Sequence, residues 1–198
     1  ESKIEHFLIS NYDKVKINSK EIQKNDVFFA LQGNKMHGNT FIDQAQYKDA
    51  KYIVTDKKLP SNHHYDNCLI VDNIFNFLYR IASKKRNQFN GKIIAVTGSV
   101  GKTSIKEYLK YFLSFKGFIS ASIKSYNNYL GVLVSLININ LDSPFAIFEV
   151  GTNNFNEIKK LSALILPHQV IISNICPSHL ENFKNTRNIA IEKSDLFN

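Results

Sequence analysis

The chain has 198 residues, 43% of them hydrophobic, and a formal net charge of +8, enough for one large domain or two small ones with a real core. No apolar run is long enough to span a bilayer, and Cys68 and Cys176 stand too far apart for metal spacing, so reduced thiols and a cytoplasmic location are expected. The lysines are scattered, so anionic small substrates account for the charge as well as a polynucleotide would, and nucleic-acid binding stays a minor alternative.

The segment up to about Asn90 alternates strand and helix signals. "DVFFALQG", Asp26 to Gly33, reads as a strand ending in a turn. "TFIDQAQYKDA" reads as an amphipathic helix capped by Thr40, with Phe41, Ala45 and Tyr47 or Lys48 near its buried edge. "KYIVT" and "NCLIV" are short strands separated by the polar stretch Asp56 to Asn67. Asn73 then caps a helix on which Phe77, Leu78 and Ile81 recur at helical spacing. Lys84-Lys85-Arg86 sit at its end, where cations suit the helix dipole. The polar Asn87 to Gly91 read as a linker, dividing the chain into domains 1–90 and 91–198.

The second segment opens with the apolar run Lys92 to Val96, a buried strand that breaks into Gly98-Ser99-Val100-Gly101-Lys102-Thr103-Ser104 before a helical pattern over Ile105 to Phe115. A strand, a glycine turn and a helix N-terminus make an anion site, since loop N–H groups and the helix dipole converge on a bound phosphate. Lys102 can neutralise phosphate charge, and the Thr103 hydroxyl is placed to ligate magnesium. The general P-loop pattern would put its first glycine at position 96, which here is Val96. The bland alternative is a strand–helix turn with no ligand.

"FISAS" follows as a strand, "IKSYNNYLG" as a polar turn and Val132 to Ile137 as an apolar helix. "PFAIFEVG" is a buried strand carrying Glu149 at its end, "NEIKKLSALI" an amphipathic helix, "QVIISNI" a strand, and a last helix starts near Thr186. This alternation predicts an α/β fold: a small N-terminal domain, then part of a P-loop domain with a mostly parallel sheet whose ligands bind at the carboxyl ends of the strands. Gly98, Glu149 and the turn holding His179 fall at that edge. Glu149 is either a strand-end carboxylate in a salt bridge or cap, or a magnesium ligand beside the phosphate loop. His179 stands near Glu149 and Lys102, whereas His63, His64 and His168 sit beside no other chemical signal. Asn127 and Asn128 read as ordinary turn formers, and Lys193 as a surface lysine paired with Glu192 or Asp195.

Taken in order, "VTGSVGKTSIKE", "YNNYLG", "FEVGTNNFNEI", "SNICPSHLENF" and "IEKSDLF" resemble the Mur ligases, which build the peptide of cell-wall precursors. "INSKEIQKNDVFFALQGNKMHGNTFIDQA" resembles the family's N-terminal domain, which holds a uridine nucleotide, so the likeness covers essentially the whole chain. The chain departs from it with Lys20 after Ser19 in place of arginine, Asn25 in place of glycine, and His37-Gly38-Asn39 in place of Asp-Gly-His. The first residue is Glu1 rather than Met, and Asn198 ends a helical pattern, so a piece of a longer enzyme is expected.

The resemblance implies an ATP- and Mg2+-dependent ligase, and a monomer is expected. Within the family it is nearest the branch joining D-alanyl-D-alanine to UDP-N-acetylmuramoyl-tripeptide through an acyl phosphate. It implies ATP binding by Gly98 to Ser104 and one magnesium on Thr103 and Glu149. A second magnesium falls to Glu149, His179 and a carbamylated Lys193. Asn127 and Asn128 are implied beside substrate or nucleotide phosphates, with Ser19 and Lys20 near the uridine pyrophosphate. A sister ligase adding another amino acid, a folate polyglutamate-type ligase, and a P-loop switch or nucleic-acid ATPase remain as alternatives.

Overall fold

The structure, a computed structural model, describes residues 1–33, 36–59, 65–123 and 126–197; His63 and His64 lie outside the described residues. The chain forms two compact units, Glu1–Ala82 and Ser83–Asn198.

The first unit is built on four parallel strands that lie side by side in chain order: β1 (Val15–Lys16), β2 (Val27–Ala30), β3 (Tyr52–Thr55) and β4 (Cys68–Ile70). All four residues of β2 are buried, so this strand is covered on both faces. Phe28 and Ala30 join Ile22, Ile42, Ala45 and Ile53 on one side, while Phe29 packs near the Phe77 ring, centroids 6.2 Å apart, on the other. Helix α1 (Ser2–Ser10), which the sequence reading did not anticipate, buries Ile4 and Leu8, one helical turn apart. Helix α2 (Ile42–Tyr47) is preceded by a 3-10 turn over Gly38–Phe41, and this corrects the expected cap. The Thr40 hydroxyl donates to His37 O within that turn, at 2.9 Å. Because the tighter turn shifts the helical phase, Ile42 and Ala45 face the core while Phe41 and Tyr47 are exposed.

Helix α3 (Ile74–Gln88) starts where expected, with the Asn76 N–H donating to Asn73 Oδ1 at 2.9 Å. The division between units falls within this helix, before the expected linker, whose Asn87 and Gln88 are helical. The basic run at its end does more than complement a dipole. The Arg86 guanidinium donates to Ile165 O and Leu166 O at 2.5 and 2.8 Å, and burial pushes the Lys85 amine down to about 8.

The second unit contains β5 (Lys92–Thr97), α4 (Lys102–Leu113), β6 (Ile119–Ala121), α5 (Tyr129–Ile137), β7 (Phe145–Glu149), α6 (Glu157–Ile165), β8 (Gln169–Ile172), the short α7 (Leu180–Phe183) and α8 (Thr186–Ser194). Its sheet runs β6-β7-β5-β8 with every pair parallel. From β5 the chain goes out to β6, returns to β7, then crosses to β8 on the far side of β5. The strand order therefore reverses at β5, and ligands of such sheets bind in the crevice beyond that point. Ile105, Leu109 and Leu113, spaced by four on α4, pack on Ile94, Val96, Ile119 and Ile147. Helix α5 is buried at every residue from Gly131 to Ile137, as a helix that is apolar all round except for Ser135 must be. Among the described residues, no helix is long and apolar enough to cross a membrane.

Candidate active site

The turn after β5 is shaped by its glycines. Gly98 has φ +147°, and a Cβ there would lie 1.8 Å from Ser173 Oγ; Gly101 has φ +83° beside open space, so backbone conformation alone selects glycine. The segment after β8 grips this turn. The Ser99 N–H donates to Asn174 O (3.1 Å) and the Val100 N–H to Asn174 Oδ1 (2.9 Å). The Ser99 hydroxyl donates to Cys176 O (2.9 Å) and accepts the Cys176 N–H (3.0 Å). The expectation that all the turn amides face a phosphate is thereby narrowed, because those of Ser99 and Val100 are spent within the protein. The first turn of α4, starting at Lys102, carries no side-chain cap and is the remaining anion-facing surface. The Lys102 ammonium donates back to Gly98 O at 2.9 Å.

Glu149 ends β7 on the face of the sheet that α4 covers and is only 1% exposed. Thr103 Oγ1 donates to Glu149 Oε2 (2.8 Å) and Asn127 Nδ2 to Oε1 (3.0 Å), while the Glu149 N–H donates to Ser122 Oγ (3.0 Å). The salt-bridge alternative fails: both carboxylate oxygens are held by neutral donors. Asn127 is thus more than a turn former. Gly151 makes room for it, since a Cβ there would sit 2.7 Å from the Asn127 side chain. Asn128, in contrast, caps α5, its Oδ1 accepting the Gly131 N–H at 2.8 Å.

Lys193 is not the surface lysine its sequence context suggests. It is 3% exposed, and burial, reinforced by the nearby Lys102 ammonium and opposed by Glu192, lowers its amine to about 8. Glu192 makes no salt bridge with it; that carboxylate accepts the backbone N–H groups of Asn156 (2.7 Å) and Ile158 (2.8 Å). His179 does lie beyond the carboxyl end of β8, with φ +50°, but its ring is half exposed and faces Glu181 at 3.7 Å. Among the described residues it bonds neither Glu149 nor Lys102, and no group of three or more His, Cys, Asp or Glu could hold a metal. His168 is structural, its Nδ1 accepting the Ile93 N–H at 3.0 Å.

In the first unit, Ser19 and Lys20 follow β1 at the carboxyl edge of its sheet. Ser19 is buried, Lys20 exposed, and the Lys48 ammonium donates to both of their carbonyls (3.0 and 2.7 Å). A polar cluster that the sequence reading passed over lies at the same edge. His37 Nδ1 accepts the Asn39 N–H, so Nε2 carries the proton toward Asp56 Oδ1 at 3.1 Å, and the Thr55 hydroxyl donates to Asn39 Oδ1 at 2.6 Å. Only His37 and Asn39 stand in a stretch quoted for resemblance, and nothing in the spacing of Thr55 and Asp56 signals that they meet them.

The family profile of the Mur ligase middle domain matches residues 96–198, and that of the Mur ligase family catalytic domain matches residues 11–93. The chain is 40% identical over 187 residues to a UDP-N-acetylmuramoyl-tripeptide–D-alanyl-D-alanine ligase of Rickettsia prowazekii, covering 94% of this chain and 41% of that protein. To the protein of the same name in Escherichia coli it is 28% identical, covering 93% and 40%. Among solved structures it resembles MurF from Acinetobacter baumannii with a TM-score of 0.80 and 25% identity, over 98% of this chain and 45% of that one. It also resembles a MurF ligase from Thermotoga maritima in complex with ADP, with a TM-score of 0.76 and 28% identity, over 96% and 43%. The chain spans about two fifths of the length of the curated relatives it matches.

Proposed function

Because the chain belongs to the Mur ligase family, we propose that it is the nucleotide-sugar-binding and phosphate-loop part of an ATP-dependent ligase that joins D-alanyl-D-alanine to UDP-N-acetylmuramoyl-tripeptide. The observation that carries the reading is the 2.8 Å bond between Thr103 and the buried Glu149 beside the glycine turn. The named relatives supply the substrates.

Magnesium fits this pair. Hydroxyl and carboxylate oxygens are the donors a hard cation prefers, and a buried carboxylate held by neutral groups lacks a countercharge. ATP, when bound, supplies the phosphoryl group that activates the tripeptide's terminal carboxylate for attack by the dipeptide amine. Lys102 exchanges its bond to Gly98 O for phosphate oxygens, and the α4 amides from Lys102 onward receive the remaining negative charge. Asn127 keeps Glu149 turned toward Thr103. Lys193, buried and with its amine lowered to about 8, would add carbon dioxide at the neutral nitrogen, release a proton to solvent and become an anion; with Glu149 and His179 it would then hold a second magnesium, which would supply further neutralisation of phosphate charge. For that, His179 has to turn away from Glu181. Asn128 lies beside the phosphates, and Ser19 and Lys20 hold the pyrophosphate of the uridine nucleotide in residues 1–90.

The test is phosphate release by the complete protein supplied with ATP and magnesium. Release should require both UDP-N-acetylmuramoyl-tripeptide and D-alanyl-D-alanine, and Lys20→Ala should raise the KM of the nucleotide-linked substrate alone. Release with the dipeptide-linked precursor and a diamino acid instead would move the protein to the sister branch.

A further inference from the structure

We propose that Glu192 is the positioning residue for Lys193, a buried carboxylate that pins α8 to the N-terminus of α6 and thereby to the segment leaving β7 at Glu149. The proposal rests on the reading of Lys193 given above. Helix α6 starts from Asn156 in the left-handed region, φ +64°, and has no side-chain cap of its own. The obvious local candidate, Glu157, is spent on the preceding turn, where it accepts the N–H groups of Asn153 (2.7 Å) and Asn154 (3.2 Å). The first turn of α6 is therefore open to an anion, and Glu192 supplies it from α8. Oε2 accepts the Asn156 N–H at 2.7 Å, Oε1 accepts the Ile158 N–H at 2.8 Å, and the Thr152 hydroxyl lies 3.3 Å from Oε1.

Glu192 is 1% exposed, so its charge has left water and must be held by these bonds and by the positive end of the α6 dipole. Helix α8 cannot slide along α6 without breaking both backbone bonds at once and leaving a buried charge unpaired. Lys193 is the next residue on that helix and is itself 3% exposed. Thr152 and Asn156 belong to the connection that runs directly from Glu149 into α6. One carboxylate thus gives Glu149 and Lys193, which lie on separate elements, a common anchor.

The complete protein, Glu192→Gln and Glu192→Asp are to be compared by three measurements. Amide exchange at Asn156 and Ile158 reads the clamp. Acetylation of Lys193 by acetic anhydride in buffer freed of carbon dioxide, where its amine is unmodified, is mapped by mass and reads its placement, with the buried Lys85 as an internal control for general loosening. The split between kcat and KM reads the chemistry. Glu192→Gln turns an amide N–H toward backbone N–H groups. It should speed exchange and Lys193 acetylation about tenfold or more while leaving Lys85 unchanged. It should also lower kcat by roughly 10²-fold with the KM for ATP unchanged. Glu192→Asp, which keeps the charge, should recover part of each effect. Faster exchange with unaltered Lys193 acetylation and kcat would reduce Glu192 to a helix cap and overturn the proposal. If acetylation responds but the unmutated protein forms no amide bond, the clamp stands and the ligase reading falls.

Discussion

Thr103 and Glu149 meet across the crevice, the hydroxyl of the first turn of α4 donating to the carboxylate that ends β7 over 2.8 Å. The bond joins the helix that follows the glycine turn to β7, beside the point where the sheet order reverses. Any cation taken up here must displace or share that hydrogen bond, so the pair couples metal binding to the position of α4.

Thr103→Ala should therefore cost both stability and metal response. It leaves a buried carboxylate oxygen without its donor, which costs about 1–3 kcal/mol, and removes one oxygen ligand. Thr103→Ser, which retains the hydroxyl, should lie close to the unmutated protein on both counts. Urea unfolding and a magnesium titration of phosphate release measure the two effects; equal behaviour of Ala and Ser would separate Thr103 from the metal.

Gly98→Ala should destabilise the turn, because its Cβ would sit 1.8 Å from Ser173 Oγ at φ +147°. The backbone strain alone is about 1–3 kcal/mol. Adding Ser173→Gly removes the clashing side chain and should recover part of the loss, leaving the φ penalty and the lost bond from Ser173 Oγ to Val100 O. A double-mutant cycle by thermal unfolding would show this as non-additivity; strict additivity would mean that the turn and the segment after β8 do not share the contact.

Lys193→Ala in the complete protein should abolish ligation, and a short-chain carboxylate such as acetate should restore part of it by standing in for the carbamate. Lys102→Ala, which loses charge stabilisation of the transferring phosphoryl group, should fall by roughly 10²–10³-fold and not respond to acetate. Full activity in Lys193→Ala eliminates the carbamate.

Lys85 gives a pH test independent of catalysis. Its folded-state amine is lowered from 10.5 to about 8, so between those values the unfolded chain binds the extra proton and its contribution to stability rises with pH. Below about 8 the folded protein carries the full cost of a buried ammonium. Lys85→Met should accordingly compare most favourably with the unmutated protein near pH 7, and its relative standing should decline as pH rises from 8 toward 10.5. Denaturant midpoints across that range measure the trend; a flat difference would contradict it.

The elements with a strong apolar signal were legible in the sequence: the strand before the glycine turn, the helix capped by Asn73, the largely apolar α5 and the strand carrying Glu149. The misreadings have local causes. The 3-10 turn at Gly38–Phe41 altered the phase of α2, so Phe41 and Tyr47 came out exposed. Helix α7 has only four residues and no apolar repeat to stand out, whereas α1 carries Ile4, Phe7 and Leu8 at helical spacing and was legible but passed over.

By itself the sequence determined the alternation of strands and helices, the glycine turn after β5, Lys102 and Thr103 at the start of the following helix and Glu149 at a strand end, since these follow from periodicity and backbone conformation within a few residues. Tertiary structure decided what these residues touch. It turned Asn127 from a turn former into the partner of Glu149, and buried Lys193 while sending its neighbour Glu192 to the N-terminus of α6. The physical reason is that a side chain's charge state and partners depend on burial and on groups many residues away in the chain. Glu192 and Ile158 are 34 residues apart, and no local pattern of residue types records that they meet.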